Sequence, residues 1–393
     1  MNVAGWLWSV GLWGTAGMYL GRMLQYRRAW KRLVATPSMP HLPQDLTETA
    51  PGKSTPAFSI LIAARNEAGN LPCLLRDLAD QLLVSGGFEV IIVDDHSTDA
   101  TAEVVQEAAQ RLPFPVRLLP LAGQPGAPTG KKAAVQAAIA VARAPWLLLT
   151  DADCRVPVGW VQAYARLVAT NATARFISGP VLLTGAGWLA TLQGLELAGL
   201  VGVGAASIGR SAPTMCNGAN LAYRRQDFYA VQGFRGNEAV ASGDDEFLLH
   251  KLHAAFPGSI RFLADPQAVV QTAAQPTLRL LLRQRVRWAS KWRHYQTRTP
   301  QRLAVLVLLA NLTFPVGAGL WAAGLVPGEI VGLSWALKLL ADALLLGPVL
   351  GFLGRRRWLW WVPVLQLAYA PYALLTGLAG LRGSYQWKGR QLR

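Results

Sequence analysis

Between residue 57 and about residue 270, short unbroken apolar runs alternate with polar or helix-patterned stretches. Phe58–Ala63 is followed by an Asn/Leu-rich helical stretch. Phe88–Val93 is followed by a helix over Thr101–Arg111. Val116–Leu119 precedes a helix over Lys131–Ala142, which leads into the run Trp146–Thr150. Strands without polar alternation are covered on both faces, and their regular spacing between helices predicts βαβ units and a mostly parallel sheet. Longer apolar segments flank this region. Residues 3–20 carry no charge, and 303–326, 330–353 and 358–381 each approach the ~20 residues that a bilayer-spanning helix needs. Over 276–300, Leu, Val and Trp alternate with Arg and Lys at helical spacing, the pattern of an amphipathic helix lying on a membrane surface.

This pattern divides the chain into an apolar helix (1–22), a basic and Pro-rich linker (23–56), an α/β domain (57–275), an amphipathic helix (276–300), an apolar helical region of about three segments (301–383) and a basic tail (384–393). Lys338 and Asp342 interrupt one apolar segment, but their i, i+4 spacing lets them pair on one helix face. The basic stretch after residue 20 places that end in the cytoplasm by the positive-inside rule, with the N-terminus outside. A third complete C-terminal span would leave the basic tail outside, against the same rule. Pro363 and Pro371 allow 358–381 to be re-entrant instead. The charge pattern leaves both arrangements open.

Composition agrees with a membrane protein. The chain is 52% hydrophobic with 15 Trp and only 15% charged residues, and its net charge is +16. No zinc-finger or basic-zipper pattern is present and much of the Arg/Lys flanks apolar runs, which argues against nucleic acid as a partner. Three scattered cysteines fit a reducing compartment better than a disulfide framework.

In open α/β sheets, ligands bind beyond the carboxyl ends of the strands. Two predicted strands end there in acidic pairs, Asp94-Asp95 and Asp151-x-Asp153. Like charges this close repel unless a cation sits between them. Oxygen ligands suit Mg²⁺ or Mn²⁺, and Cys154 beside them suits neither. Gly130-Lys131 opens a helix, and a lysine at a helix N-terminus favours phosphate.

Seven motifs appear in order: "AARNEAGN", "VDDHSTD", "GKKAAVQAA", "LTDADC", "CNGANLAYRR", "SGDDEFLLHKL" and "QRVRW". Together they resemble the family 2 inverting glycosyltransferases with a GT-A catalytic domain. The similarity extends to the membrane-anchored branch of cellulose, chitin and hyaluronan synthases and bacterial lipid glycosyltransferases. The resemblance covers about 54–300. It implies that Ala64, Arg65 and Glu67 contact the nucleoside, with Asp94 and Asp95 beside the base. It implies that Lys131 and Asp151 lie by the diphosphate, and that Asp151 and Asp153 hold the divalent cation. Asp244 and Asp245 match the family's acid pair, the second acid serving as general base. Asn217, Gly218 and Asn220 occupy the place of the acceptor loop. Gln284, Arg287 and Trp288 share a helix face and match the family's Q-x-x-R-W motif, with Arg287 toward the diphosphate and Trp288 toward the acceptor.

The resemblance thus implies an integral membrane enzyme of a bacterial inner membrane, its catalytic domain cytoplasmic. It would move a sugar from a nucleotide sugar, UDP-linked by expectation, to a lipid-type acceptor. A processive polysaccharide synthase is the alternative, disfavoured by the small number of apolar segments.

Overall fold

The computed structural model describes residues 3–35, 55–122, 129–237, 243–291, 298–380, 385–387 and 390–392. Residues 36–54 of the expected linker (23–56), part of the 276–300 segment (292–297) and much of the basic tail lie outside the described residues. In chain order the elements are α1 (Val3–Ala35), β1 (Phe58–Ala64), α2 (Leu71–Ala79), β2 (Phe88–Asp94), α3 (Thr101–Ala109), β3 (Val116–Pro120), α4 (Lys131–Val141), β4 (Trp146–Leu149), β5 (Cys154–Arg155), α5 (Trp160–Thr170), β6 (Phe176–Ser178), β7 (Val181–Thr184), α6 (Gly187–Gly209), β8 (Leu221–Arg224), α7 (Arg225–Ala230), α8 (Asp244–Ala255), β9 (Ile260–Phe262), β10 (Val270–Ala273), α9 (Leu278–Ser290), α10 (Arg298–Ala322), α11 (Gly328–Phe352), α12 (Val362–Gly380), β11 (Tyr385–Trp387) and β12 (Arg390–Leu392). They fall into two compact units. One comprises Leu33–Thr184, Met215–Ala274 and Gln386–Arg393; the other comprises Met1–Arg32, Gly185–Thr214 and Gln275–Tyr385.

The first unit is α/β. Its main sheet has the order β3-β2-β1-β4-β8-β6-β9. The β1–β2, β1–β4 and β2–β3 pairs are parallel, while β8 runs antiparallel to both β4 and β6. Ile60, Leu61 and Ile62 on β1 and Val90 to Val93 on β2 are essentially without solvent contact, as their unbroken apolar runs require. The chain leaves β1 toward β2 on one side and returns to β4 on the other. This makes the carboxyl ends of β1 and β4 the crevice where such sheets take ligands. A smaller sheet, β5-β10-β7, begins directly after β4. Glu89 is buried at the opposite end of β2. Burial opposes its charge, but Ser59 Oγ (2.6 Å) and the Arg143 amide and guanidinium (both 2.8 Å) outweigh that and hold its carboxyl below the usual range.

The second unit is helical. α1 buries Leu12, Ala16, Tyr19, Met23, Tyr26 and Trp30, a stripe at three- and four-residue spacing. Its other face exposes Trp6, Leu7, Trp8, Val10 and Trp13, so the N-terminal half of the helix is apolar all round. The stripe runs on through the basic residues, and 23–35 is therefore helix rather than linker. α6 corrects a second expectation. It lies within the span expected to be wholly catalytic, yet it belongs to the helical unit. Gly202 lets it approach α11 closely, since a Cβ there would lie 2.7 Å from Val349 Cγ2. Among the described residues, four helical segments are long and apolar enough to cross a membrane: Gly187–Gly209, Arg298–Ala322, Gly328–Phe352 and Arg356–Gly380.

The expected Lys338–Asp342 pair forms at 2.7 Å and gathers partners from three further helices. Asn311 Oδ1 accepts from Lys338 (2.9 Å), while Tyr19 Oη (2.6 Å) and Gln366 Nε2 (2.5 Å) donate to Asp342. Removing one partner of a buried pair leaves the other charge uncompensated, at a cost of roughly 3–5 kcal/mol. Asp342→Ala is therefore expected to lower the thermal unfolding temperature in detergent sharply. The double change Lys338→Met with Asp342→Leu should recover most of the loss. An Asp342→Ala protein that melts like the wild type would show that the pair contributes little.

Candidate active site

The loops after β1 and β2 are laced together. Arg65 Nη1 donates to the carbonyls of Asp95 (2.8 Å) and His96 (3.1 Å). The Asn66 amide donates to Ser97 Oγ, and Asn66 Oδ1 accepts from the Thr98 amide. Asn66 (φ 52°) and His96 (φ 58°) both take the left-handed conformation that this packing requires. Glu67 is buried; its amide donates to Thr101 Oγ1 (2.9 Å) and its carboxylate accepts from Asn70 (2.7 Å). Ala64 is buried and contributes through its carbonyl, which accepts the Asp95 amide. Asp94 caps the turn by accepting the Ser97 amide (3.0 Å). Asp95, also buried, accepts the amide of Gly130 (3.0 Å) and so fixes the start of α4 to the end of β2.

Gly130 sits at φ 98°, a conformation suited to glycine, and delivers Lys131 as the first residue of α4. Lys131 Nζ donates to Asp151 Oδ1. Burial opposes the lysine charge, but Asp151, Asp244 and Asp245 outweigh it and raise the Lys131 pKa. Lys132 turns away, its Nζ on the Asn237 carbonyl at 2.5 Å.

Asp151 and Asp153 occupy the turn where the chain leaves the main sheet for the small one. The turn is closed by the Cys154 amide on the Asp151 carbonyl (3.1 Å), and Cys154 then pairs with Thr272 on β10. Ligand atoms of Asp151, Asp153 and Cys154 all lie within 4.8 Å of one another. Burial and the two flanking carboxylates push the Cys154 thiol up, which leaves it a poor ligand. The two carboxylates suit a hard divalent ion.

The acid pair opens α8 behind Gly243 (φ 82°). Asp245 accepts the Gly218 amide at one oxygen and the Glu246 amide at the other, both at 2.8 Å. Burial, Asp245 and Asp151 raise the pKa of Asp244 against the opposing pull of Lys131. A Cβ on Gly218 would lie 3.2 Å from Lys131 Nζ and 3.4 Å from Asp245 Oδ2, so the loop, the lysine and the acid pair converge on one point.

Asn217 shapes that loop by accepting the Ala219 amide (3.0 Å). Asn220 departs from expectation. It has no solvent exposure, and its side chain accepts from Trp160 Nε1 (2.9 Å) and Tyr164 Oη (2.8 Å) and donates to the carbonyls of Pro180 and Ala268 (both 2.8 Å). That is the full capacity of an amide, so Asn220 is a core bracket and not an acceptor ligand. Sequence reasoning also missed Tyr223, whose buried hydroxyl has no hydrogen-bond partner among the described residues; burial and then Asp244 raise its pKa.

Gln284, Arg287 and Trp288 lie on α9 in the helical unit, all partly buried. The most buried arginine of that helix is Arg285, which sequence reasoning passed over. Its Nη2 and Nε bond Glu196 on α6 (2.7 and 3.0 Å), and its guanidinium stacks 4.2 Å from the Trp288 ring. Tyr372 on α12 donates to the other oxygen of Glu196 (2.9 Å).

Residues 146–374 match the family model described as "Glycosyl transferase family group 2", and residues 59–188 match "Glycosyl transferase family 2". The chain belongs to glycosyltransferase family 2 and has the GT-A α/β fold. It is 29% identical over 280 residues to an N-acetylglucosaminyltransferase of Rhizobium meliloti, covering 68% of this chain and 62% of that one. It is 32% identical over 103 residues to a β-monoglucosyldiacylglycerol synthase of Nostoc sp., covering 26% of this chain and 21% of the relative's length. In fold it is similar to a mannosyltransferase of Pyrobaculum calidifontis, solved with GDP-mannose and Mn²⁺, at a TM-score of 0.54 and 20% identity, covering 94% of this chain and 99% of that one.

The Asn220 bracket carries its own test. Asn220→Ala leaves buried Trp and Tyr donors unpaired, each at about 1–3 kcal/mol, and the thermal unfolding temperature should fall by several degrees. An Asn220→Ala protein with unchanged melting and a loss confined to acceptor use would restore the residue to the acceptor site.

Proposed function

We propose that this protein is a membrane-bound inverting glycosyltransferase that moves a sugar from a nucleotide sugar, expected to be a UDP-sugar, to a lipid acceptor. The observation that carries the reading is the convergence of Lys131, Asp151, Asp244, Asp245 and the Gly218 amide. The GDP-mannose complex of the fold relative supports a nucleotide-sugar donor. The glycolipid synthase among the relatives and the helices apolar all round support a lipid acceptor. The laced loops holding Arg65, Glu67, Asp94 and Asp95 would cradle the nucleoside.

In this reading Lys131 offsets charge on the diphosphate. Asp151 and Asp153 would hold Mg²⁺ or Mn²⁺, which supplies Lewis-acid stabilisation of the leaving group. Asp245 takes the proton of the acceptor hydroxyl while that oxygen attacks the anomeric carbon from the face opposite the diphosphate, which inverts the configuration. Two amides fix the Asp245 carboxylate, yet each oxygen keeps a lone pair for the proton. Beside it, burial and the neighbouring acids raise the pKa of Asp244 against the pull of Lys131. Gln284, Arg287 and Trp288 would serve the diphosphate and the acceptor from α9.

We place α1, α10 and α11 across a bacterial inner membrane, with the α/β unit cytoplasmic and α12 re-entrant. Trp358, just before α12, packs on Gly194 of α6, where a Cβ would lie 2.4 Å from its ring. Tyr372, within α12, reaches Glu196 one half-turn along α6. Gly380, at its end, lies against Ala289 of α9. This arrangement keeps the basic tail on the cytoplasmic side, as the charge rule asks.

The deciding experiment incubates native membranes with a panel of radiolabelled nucleotide sugars and separates organic from aqueous phases. Label is expected in the organic phase; label only in an aqueous polymer would favour a processive synthase. EDTA should abolish transfer and Mn²⁺ or Mg²⁺ restore it, with Asp153→Ala inactive. Activity that survives exhaustive chelation and Asp153→Ala would remove the metal from the account. Asp245→Asn should lower kcat by about 10²–10⁴-fold while donor affinity by calorimetry stays within about threefold. Loss of donor binding with turnover retained would reassign Asp245 to the donor.

A further inference from the structure

α11 ends at Phe352, and Gly354 at φ 67° reverses the chain. Arg355, Arg356 and Arg357 follow as three consecutive exposed residues. With Gly351, Gly354 and Trp358 they line a recess of ≈ 400 Å³. The recess depends on glycine: a Cβ on Gly351 would lie 2.9 Å from Arg356 Nε. The Arg355 guanidinium lies 5.7 Å from the centre of the Trp358 ring. Among the described residues, none of the three arginines has a carboxylate partner. Three adjacent cations without counter-charge, around a concave space, call for an anion.

The surroundings narrow the class of anion. The recess closes the end of a 25-residue apolar helix, and the short 3-10 turn over Arg356–Trp361 that follows it reads "RRWLWW". Trp360 there is 86% exposed. Tryptophans beside arginines at the end of an apolar helix mark the headgroup level of a bilayer. The basic end of α1 meets the same end of α11: Trp30 contacts Phe352 edge to face at 5.5 Å. One turn earlier on α1, the buried Arg27 Nε has no hydrogen-bond partner among the described residues. A soluble anion needs no aromatic rim, whereas a phospholipid presents a phosphate and an acyl region together.

We propose that the Arg355–Arg357 recess binds the phosphate headgroup of an anionic phospholipid. The recess shares no residue with the sugar-transfer cluster. It rests on the membrane placement of the helical unit and not on the chemistry assigned to Asp245 or Asp151. A headgroup seated there would tie the α11–α12 connection to the cytoplasmic leaflet.

Native mass spectrometry of the full chain, delipidated and titrated with phosphatidylglycerol or phosphatidylcholine, tests this. Phosphatidylglycerol should be retained in preference to phosphatidylcholine. Affinity should weaken about fivefold for each arginine replaced, on the order of 100-fold in a variant carrying Arg355→Gln, Arg356→Gln and Arg357→Gln. If the triple variant does not fold, Arg356→Gln alone should still show the single-residue loss. Inorganic phosphate at millimolar concentration should not displace the lipid. Equal retention of both lipids, an unchanged variant, or displacement by inorganic phosphate would overturn the proposal, the last in favour of a free-anion site.

Discussion

A half-buried lysine holds this active site together. Lys131 bonds Asp151 and feels Asp244 and Asp245. Three carboxylates brought this close would drive one another toward protonation or apart. The lysine charge lets them coexist, and their field keeps the lysine charged although it is partly withdrawn from water. The positions of the turn after β4, the start of α4 and the start of α8 are therefore mutually dependent.

The fold delivers these groups by different devices. Asp151 and Asp153 project side by side because the chain turns there from one sheet into another. Lys131 arrives through Gly130, whose amide is anchored on buried Asp95. Asp245 is aimed by two amides, one from its own helix and one from the Gly218 loop, which Asn220 pins to the core beneath. Mixing local turns with long-range brackets fixes the acids without a continuous rigid element running through them.

Much of this was legible in the residues. The runs at Phe58, Phe88 and Trp146 became central strands within a residue or two of their expected ends, because strands buried on both faces need unbroken apolar sequence. The acids at strand ends were visible for a related reason, since charge directly after such a run must sit at the sheet edge. Other features were hidden. α6 is flanked by one basic residue, Arg210 at its C-terminal end, and its apolar, Gly-rich sequence does not distinguish a core helix from a membrane one. The basic stretch of α1 looked like a linker because charge masked the stripe through Tyr26 and Trp30. Asn220 and Asn217 sit three residues apart in one loop, and nothing local says that one is fully bonded in the core. Arg285 was overshadowed by Arg287, since its partner Glu196 lies 89 residues away.

The central claim is that Lys131 serves as the resident counter-charge of the acid cluster. Replacing it with a neutral residue should leave the carboxylates short of positive charge. Mn²⁺ binding to the full-length protein, followed by electron paramagnetic resonance without nucleotide, measures this directly. Lys131→Met is predicted to bind Mn²⁺ about tenfold or more tightly than the wild type, as expected when a unit charge a few ångströms away is removed. Unchanged or weaker Mn²⁺ binding in the variant would contradict the account.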